Sequence, residues 1–243
     1  MRLRPSSAVH SRKQASRSFA RAVVLTLGLA CWFPASGLAA GVNQEEVLRQ
    51  MEAAGRQVTN FSAAITQKKW TAVLKEFDRG ESGMLWYLRS KEGQSSLRRD
   101  IVAPETSILV ISNGEALFYE PRIKQARKYQ LGNQKDKAEF LVLGFGTTTR
   151  SLSDTYNILL LGEEKIDGRK AYMLELRPKS EKAAAYFPQI VIWVAEQIWL
   201  PVQQKLVEPN GDYLLIKFSE LKLNPGISKG KFKLSLPPGV AVG

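Results

Sequence analysis

Residues 107–125 read SILVISNGEALFYEPRIKQ, and this stretch decides the fold class. An apolar run meets Asn113-Gly114, and a second, apolar-aromatic run follows and ends at Pro121. Asn and Gly accept the positive φ of a tight hairpin turn, so the segment predicts two antiparallel strands. The same texture continues outward. Upstream, Phe61, Ala63 and Ile65 alternate with Ser62, Ala64 and Thr66, and Gly83–Arg89 (GMLWYLR) and Leu97–Val102 are further candidate strands. Downstream, Tyr156–Gly162 and Lys170–Arg177 flank an Asp167-Gly168 turn, and Gln189–Ala195 is apolar on both faces. Leu200–Val207 and Tyr213–Leu223 flank Glu208-Pro209-Asn210-Gly211. The apolar phase of that last strand slips near Phe218–Glu220, which predicts a bulge. Phe232, Leu234 and Leu236 alternate once more before Pro237-Pro238-Gly239. About ten to eleven strands without a βαβ rhythm predict a mainly β fold, an antiparallel sheet or barrel.

Two segments read as helices. Over Asn43–Gln57, Val47, Leu48, Met51 and Ala54, with Val58 beyond, form one stripe; Asn43 can cap it, and Glu45-Glu46 suit its positive end. Lys135–Leu143 is apolar on most sides and runs into Gly144-Phe145-Gly146, so it must lie on an apolar surface.

The first forty residues have the form of a secretory signal peptide. Arg2, Arg4, Arg12, Lys13, Arg17 and Arg21 precede the apolar run Ala22–Phe33, and small residues follow up to Ala39-Ala40, where cleavage is expected. Cys31 offers a second reading, a lipid-anchored cysteine, although Gly28 stands where lipidation favours a Leu-like residue. Residues 1–40 contain the only cysteine and the only histidine, His10. They also hold six of the 35 basic residues and none of the 23 acidic ones, so the formal charge falls from +12 to about +6 without them. Residues 41–243 are then expected to form one exported domain without disulfides.

This composition excludes much chemistry. Without His or Cys the domain has no Ser-His-Asp triad, no thiol nucleophile and none of the usual zinc sites. Glu163, Glu164 and Asp167 are a carboxylate-only alternative for hydrolysis, but they read better as a solvated hairpin end. Arg98-Arg99 and Lys68-Lys69-Trp70 are too dispersed for a nucleic-acid surface. No cofactor and no metal are expected. Several strands are apolar on both faces, as a packed core or an internal apolar cavity would each require.

Four segments in order resemble the outer-membrane lipoprotein carrier (LolA-like) family. Val58–Lys68 is similar to its Phe-x-Ala-x-Phe-x-Gln strand, and Gly83–Arg89 to its Gly-x-Leu-Trp-x-x-Arg strand. Ser107–Pro121 with Gln125-Ala126 resembles its Asp-Gly hairpin, and Phe232–Val240 its Pro-Pro-x-Gly-Val close. The resemblance implies an incomplete antiparallel β-barrel with helices as a lid over an apolar cavity. It implies a monomeric periplasmic carrier of lipoprotein acyl chains, or of a related lipid. The partners it implies are an inner-membrane release complex and an outer-membrane acceptor. Arg89 matches the family's latch, which hydrogen-bonds lid carbonyls in the closed state. Lipid-binding envelope sensors of the same fold are the second reading. Alternation places Phe61, Ile65, Leu85, Leu97, Ile101, Leu109, Phe118 and Phe140 on the cavity wall. The chain departs from the family pattern at several points, among them Asn113 for the typical Asp and a lid segment ending in Gly144-Phe145-Gly146. Ser90 stands where the family has Pro, the turn over Ser90–Ser96 is longer, and Arg99 stands where some members carry an inward-facing aromatic.

Overall fold

The computed structural model describes residues 42–90, 95–131, 140–146 and 148–243. The expected signal peptide with Cys31, residues 91–94 of the long turn and residues 135–139 of the expected second helix lie outside the described residues.

The first helix forms where the stripe placed it. Asn43 accepts the Glu46 amide at 2.8 Å, and α1 runs over Gln44–Gln57 with Val47, Leu48 and Met51 buried along one face. The strands follow as β1 (Asn60–Thr71), β2 (Glu76–Phe77), β3 (Glu81–Leu88), β4 (Ser96–Ala103), β5 (Ser107–Ser112), β6 (Glu115–Glu120) and β7 (Gln125–Gln130). A short helix α2 (Thr149–Thr155) leads into β8 (Tyr156–Ile166), β9 (Arg169–Pro178), β10 (Gln189–Ala195), β11 (Leu200–Val207), β12 (Tyr213–Leu223) and β13 (Ala241–Val242). Asn113 and Gly114 take φ of 54° and 79° between β5 and β6, as the hairpin turn demands. β2 and β13 have two residues each, and the other strands number about the ten to eleven expected.

All strands join one sheet in the order β13-β7-β6-β5-β4-β3-β1-β12-β11-β10-β9-β8, with β2 beside β1. Neighbours are antiparallel except β13 against β7. The sheet has two free edges, so the barrel is incomplete. β1 sits near its middle and ties the first half, through β3, to the second half, through β12. The expected bulge is present: the β1–β12 register shifts between Ser62 and Ala64, and Glu220 takes φ 50°.

Directly opposed residues share a face, so the register defines the concave side. One row runs Phe61, Tyr87, Leu97, Ile111 and Ala116; the next runs Ala63, Leu85, Arg99, Leu109 and Phe118. Leu206, Ile190, Leu176 and Ile158 continue the apolar face across the second half. Apart from Arg99 and Phe118, these side chains and α1 form the main core. A smaller cluster of Ala171, Val191 and Trp193 is separate from it.

Two expectations need correction. The described part of the second helix, Phe140–Val142, is a single 3-10 turn. Gly144 and Gly146 follow at φ of 86° and 79° and end any helix there. The alternating stretch from Phe232 to Leu236 forms no ladder: Lys229–Phe232 is a 3-10 turn with Phe232 buried, and paired prolines follow. α2 and β7 were not anticipated. Thr148 caps α2 by accepting the Ser151 amide at 3.1 Å, and β7 is defined by its pairing with β6.

Candidate functional site

Topology supplies the lid. β7 ends beside β13 at one end of the sheet order and β8 lies at the other, so the connection between them must pass from edge to edge. Its described residues pack on the concave face. Phe140, Leu143 and Phe145 are buried in the main core. The Phe145 ring stacks on Phe61 at 4.4 Å and meets Phe218 edge-on at 5.3 Å. Phe140 meets Phe187 edge-on at 5.1 Å. Phe145 therefore occupies the middle of the concave face, against the first residue of the expected wall.

Polar contacts pin this layer at three points. Arg89, immediately after β3, donates from Nη2 to the carbonyl of Gly55 in the last turn of α1 at 2.8 Å. A cation suits that negative helix end. Its guanidinium also lies against Gly146, where a Cβ would stand 1.5 Å from Arg89 Nη2 and 2.6 Å from its Cζ. Gly55 and Gly146 are equally close, since a Cβ on Gly55 would meet the Gly146 Cα at 3.0 Å. The second pin is Gln204 on β11, fully buried, whose Nε2 donates to the Leu143 carbonyl at 2.9 Å. Its Oε1 has no partner. The third joins the helices: the Thr149 amide donates to Glu52 Oε2 and its hydroxyl to the Leu48 carbonyl, both at 3.0 Å. These bonds from Thr149, then that from Arg56, hold the Glu52 carboxyl below the usual glutamate range.

The expected wall residues come together unequally. Phe61, Ile65, Leu85, Leu97, Ile101 and Phe140 are buried in one cluster. Leu109 packs on the rim of that cluster. Phe118 lies opposite Leu109 and is half-buried, with the Arg127 guanidinium 5.4 Å above its ring. Arg89 reaches the Gly55 carbonyl of α1. Sequence reasoning did not select Phe145, Tyr87, Gln67 or Gln204. Gln204 carried a readable signal, a polar residue in phase with Leu206. Nothing local marked Gly55 and Gly146 as neighbours.

One polar group interrupts the wall. Arg99 lies between Leu85 and Leu109 in the inward row. Its side chain reaches Gln67, donating from Nη1 to Oε1 at 3.3 Å, while Gln67 Nε2 donates to Glu81. Burial pushes the Arg99 guanidinium below the usual arginine range, and Glu81 partly offsets this from a distance. Its Nε is buried and has no partner.

The three carboxylates weighed for hydrolysis are engaged elsewhere. Glu163 pairs with Lys170 at 3.0 Å, Glu164 accepts Trp193 Nε1 at 2.8 Å, and Asp167 pairs with Lys217 at 2.5 Å. Asp167 itself forms the β8–β9 turn at φ 50°. An open cleft of about 860 Å³ adjoins Arg89 and is lined by Val110, Leu117, Phe232 and Leu234 with Lys229 and Lys233.

A family model described as that of an uncharacterized protein matches residues 103–228, just over half of the chain. The chain belongs to that family. Its fold is a mainly β, open antiparallel sheet whose concave face carries helices and a crossing segment. An uncharacterized protein of Methanocaldococcus jannaschii is 25% identical over 133 residues, which is 54% of this chain and 36% of that relative. The chain thus spans about a third of the length of that curated relative. Among solved structures, an uncharacterized conserved protein from Thermus thermophilus superposes with a TM-score of 0.52 at 14% identity, over 82% of this chain and 97% of that one. A LolA superfamily protein from Nitrosomonas europaea matches with a TM-score of 0.38 at 13% identity, over 79% of this chain and 98% of that one.

Proposed function

We propose that this protein is a periplasmic carrier that takes up acyl chains of lipoproteins, or of a related lipid, on its concave face. It would take them from an inner-membrane release complex and deliver them to an outer-membrane acceptor, with residues 1–40 serving as the export signal. The observation that carries this reading is the way the lid is held. An apolar face is covered by aromatic side chains from a crossing segment, and that cover is fastened by side-chain bonds to carbonyls, from Arg89 to Gly55 and from Gln204 to Leu143. Such contacts can be exchanged for water when the cover lifts, which a uniformly apolar core does not provide for.

The energetics favour such a container. Burial of an acyl chain gains ~0.8 kcal/mol per CH₂, so a sixteen-carbon chain gains on the order of 12 kcal/mol at most. A carrier must also let go. Phe145 on Phe61 offers the exchange: when cargo leaves, the ring refills the face, and the closed state offsets much of the cost of emptying it. Mass spectrometry of lipids co-purified with the protein from its native envelope tests the reading. Covalently lipidated peptides are the expected finding, and free glycolipids would assign a different cargo. Absence of bound lipid, together with failure to bind a fluorescent acyl probe, would overturn it.

A further inference from the structure

We propose that the cargo carries an anionic oxygen group, a carboxylate or a phosphodiester, and that Arg99 with Gln67 receives it on the concave face. The inference rests on the acyl-binding reading above and adds the chemistry of the headgroup.

The argument starts from the cost of Arg99 where it stands. Its neighbours across the strands are Leu85 and Leu109, and Leu97 and Ile101 flank it on its own strand, all facing inward. A guanidinium among such groups is unfavourable unless a carboxylate meets it. Among the described residues no carboxylate forms an ion pair with Arg99. Glu81 is the obvious candidate, yet it is occupied by the Gln67 amide and attracts Arg99 only from a distance. Arg98, the next residue, shows the contrast: its Nε is satisfied by Asp100 at 2.7 Å.

The surrounding groups are arranged as a receptor. Glu81 holds the Gln67 NH₂, which turns Gln67 Oε1 toward Arg99 Nη1. That single neutral contact, at 3.3 Å, orients the guanidinium without neutralising it. Nε, buried and unpartnered, is left as a donor. Gly83 lies between Leu85 and Glu81 on β3 and carries no side chain between Arg99 and Gln67. Leu109 and Phe118 continue the row beyond Arg99, both half-buried, as an apolar track leading to the charge. An acyl chain on that track would present an anionic end group to a donor pair that arginine geometry suits well.

The test compares ligands that share a chain and differ in charge. In the fatty-acid arm, cis-parinaric acid and its methyl ester are titrated by fluorescence into the purified protein. In the phospholipid arm, a pyrene-labelled phosphatidylglycerol is set against a diacylglycerol with the same label. The wild type should bind the anionic member of at least one pair about tenfold more tightly, and the arm that shows this identifies carboxylate or phosphodiester. Arg99→Met should bring that ratio to within about twofold while retaining the neutral ligand. Because the substitution removes an uncompensated charge, its melting temperature should equal or exceed that of the wild type. Equal affinities within both pairs in the wild type, or a preference that survives in Arg99→Met, would overturn the headgroup assignment and leave acyl binding standing. If no member of either pair binds, the carrier reading falls with it. The wild-type comparison does not depend on how the variant folds.

Discussion

Arg89, Gly55 and Gly146 meet at one point, and each contributes a property the others need. Gly146 has φ 79° and no side chain, so the Arg89 guanidinium can lie where a Cβ would be. Gly146→Ala should therefore displace Arg89 and strain the backbone, at a cost of about 1–3 kcal/mol. Arg89→Leu should leave the fold intact while freeing the Gly55 carbonyl. Both variants should loosen the lid in the same way, seen as faster amide exchange in α1 by mass spectrometry. Both should also slow cargo transfer to acceptor membranes, because the closed state no longer helps to expel it. Transfer at wild-type rates by Arg89→Leu would remove the latch role. Of this trio the sequence marked only Arg89, the last residue of GMLWYLR, through the family resemblance. Gly55 and Arg89 are 34 residues apart, and no local pattern reports such a pairing.

The helices and the crossing segment depend on a carboxylate. Glu52 on α1 accepts the amide of Thr149 at the start of α2, and this contact lowers its proton affinity. A carboxylate whose folded-state pKa is depressed adds stability above its unfolded value, and that stability is lost as pH falls through the lower, folded value. The α1–α2 contact should thus be fully present at neutral pH and weaken as pH drops below the ordinary glutamate range, near ~4.3. Protection of the Thr149 amide, measured against its intrinsic exchange rate, should fall over that window in the wild type, whereas Glu52→Gln should show low protection already at pH 7 and little change on acidification. The α1 stripe and its Asn43 cap were legible because helix periodicity and capping are local. α2 was not, since its seven residues include Thr149, Arg150, Ser151, Ser153, Asp154 and Thr155 around the single buried Leu152, and packing on α1 rather than propensity sustains it.

Across the whole molecule, one ring decides how full the concave face is. Phe145 touches Phe61 from β1 and Phe218 from β12, the two strands that join the halves of the sheet. Phe145→Ala should destabilise the ligand-free protein by about 3–5 kcal/mol, read from chemical denaturation. Acyl ligand should recover more stability in this variant than in the wild type, because it no longer has to displace the ring. An unchanged ligand-induced shift would mean that cargo and Phe145 do not compete for the same space.

Alternation, turn chemistry and one capped stripe were enough to establish a mainly β chain, its strand borders to within a few residues, the β12 bulge and the inward, buried facing of Phe61, Ile65, Leu85, Leu97 and Ile101. These properties are local: a strand's facing repeats every two residues, and Asn-Gly turns need no partner. The absence of His and Cys from residues 41–243 bounded the chemistry in the same direct way. Tertiary structure alone joined β1 to β12, laid Phe140–Gly146 across the face and brought Arg89 to Gly55, Gln204 to Leu143 and Arg99 to Gln67. Each of those contacts links distant segments, and its energy depends on burial that exists only after the sheet has curved around them. The alternation could say that Arg99 points inward; that its charge lacks a carboxylate there is a fact of packing.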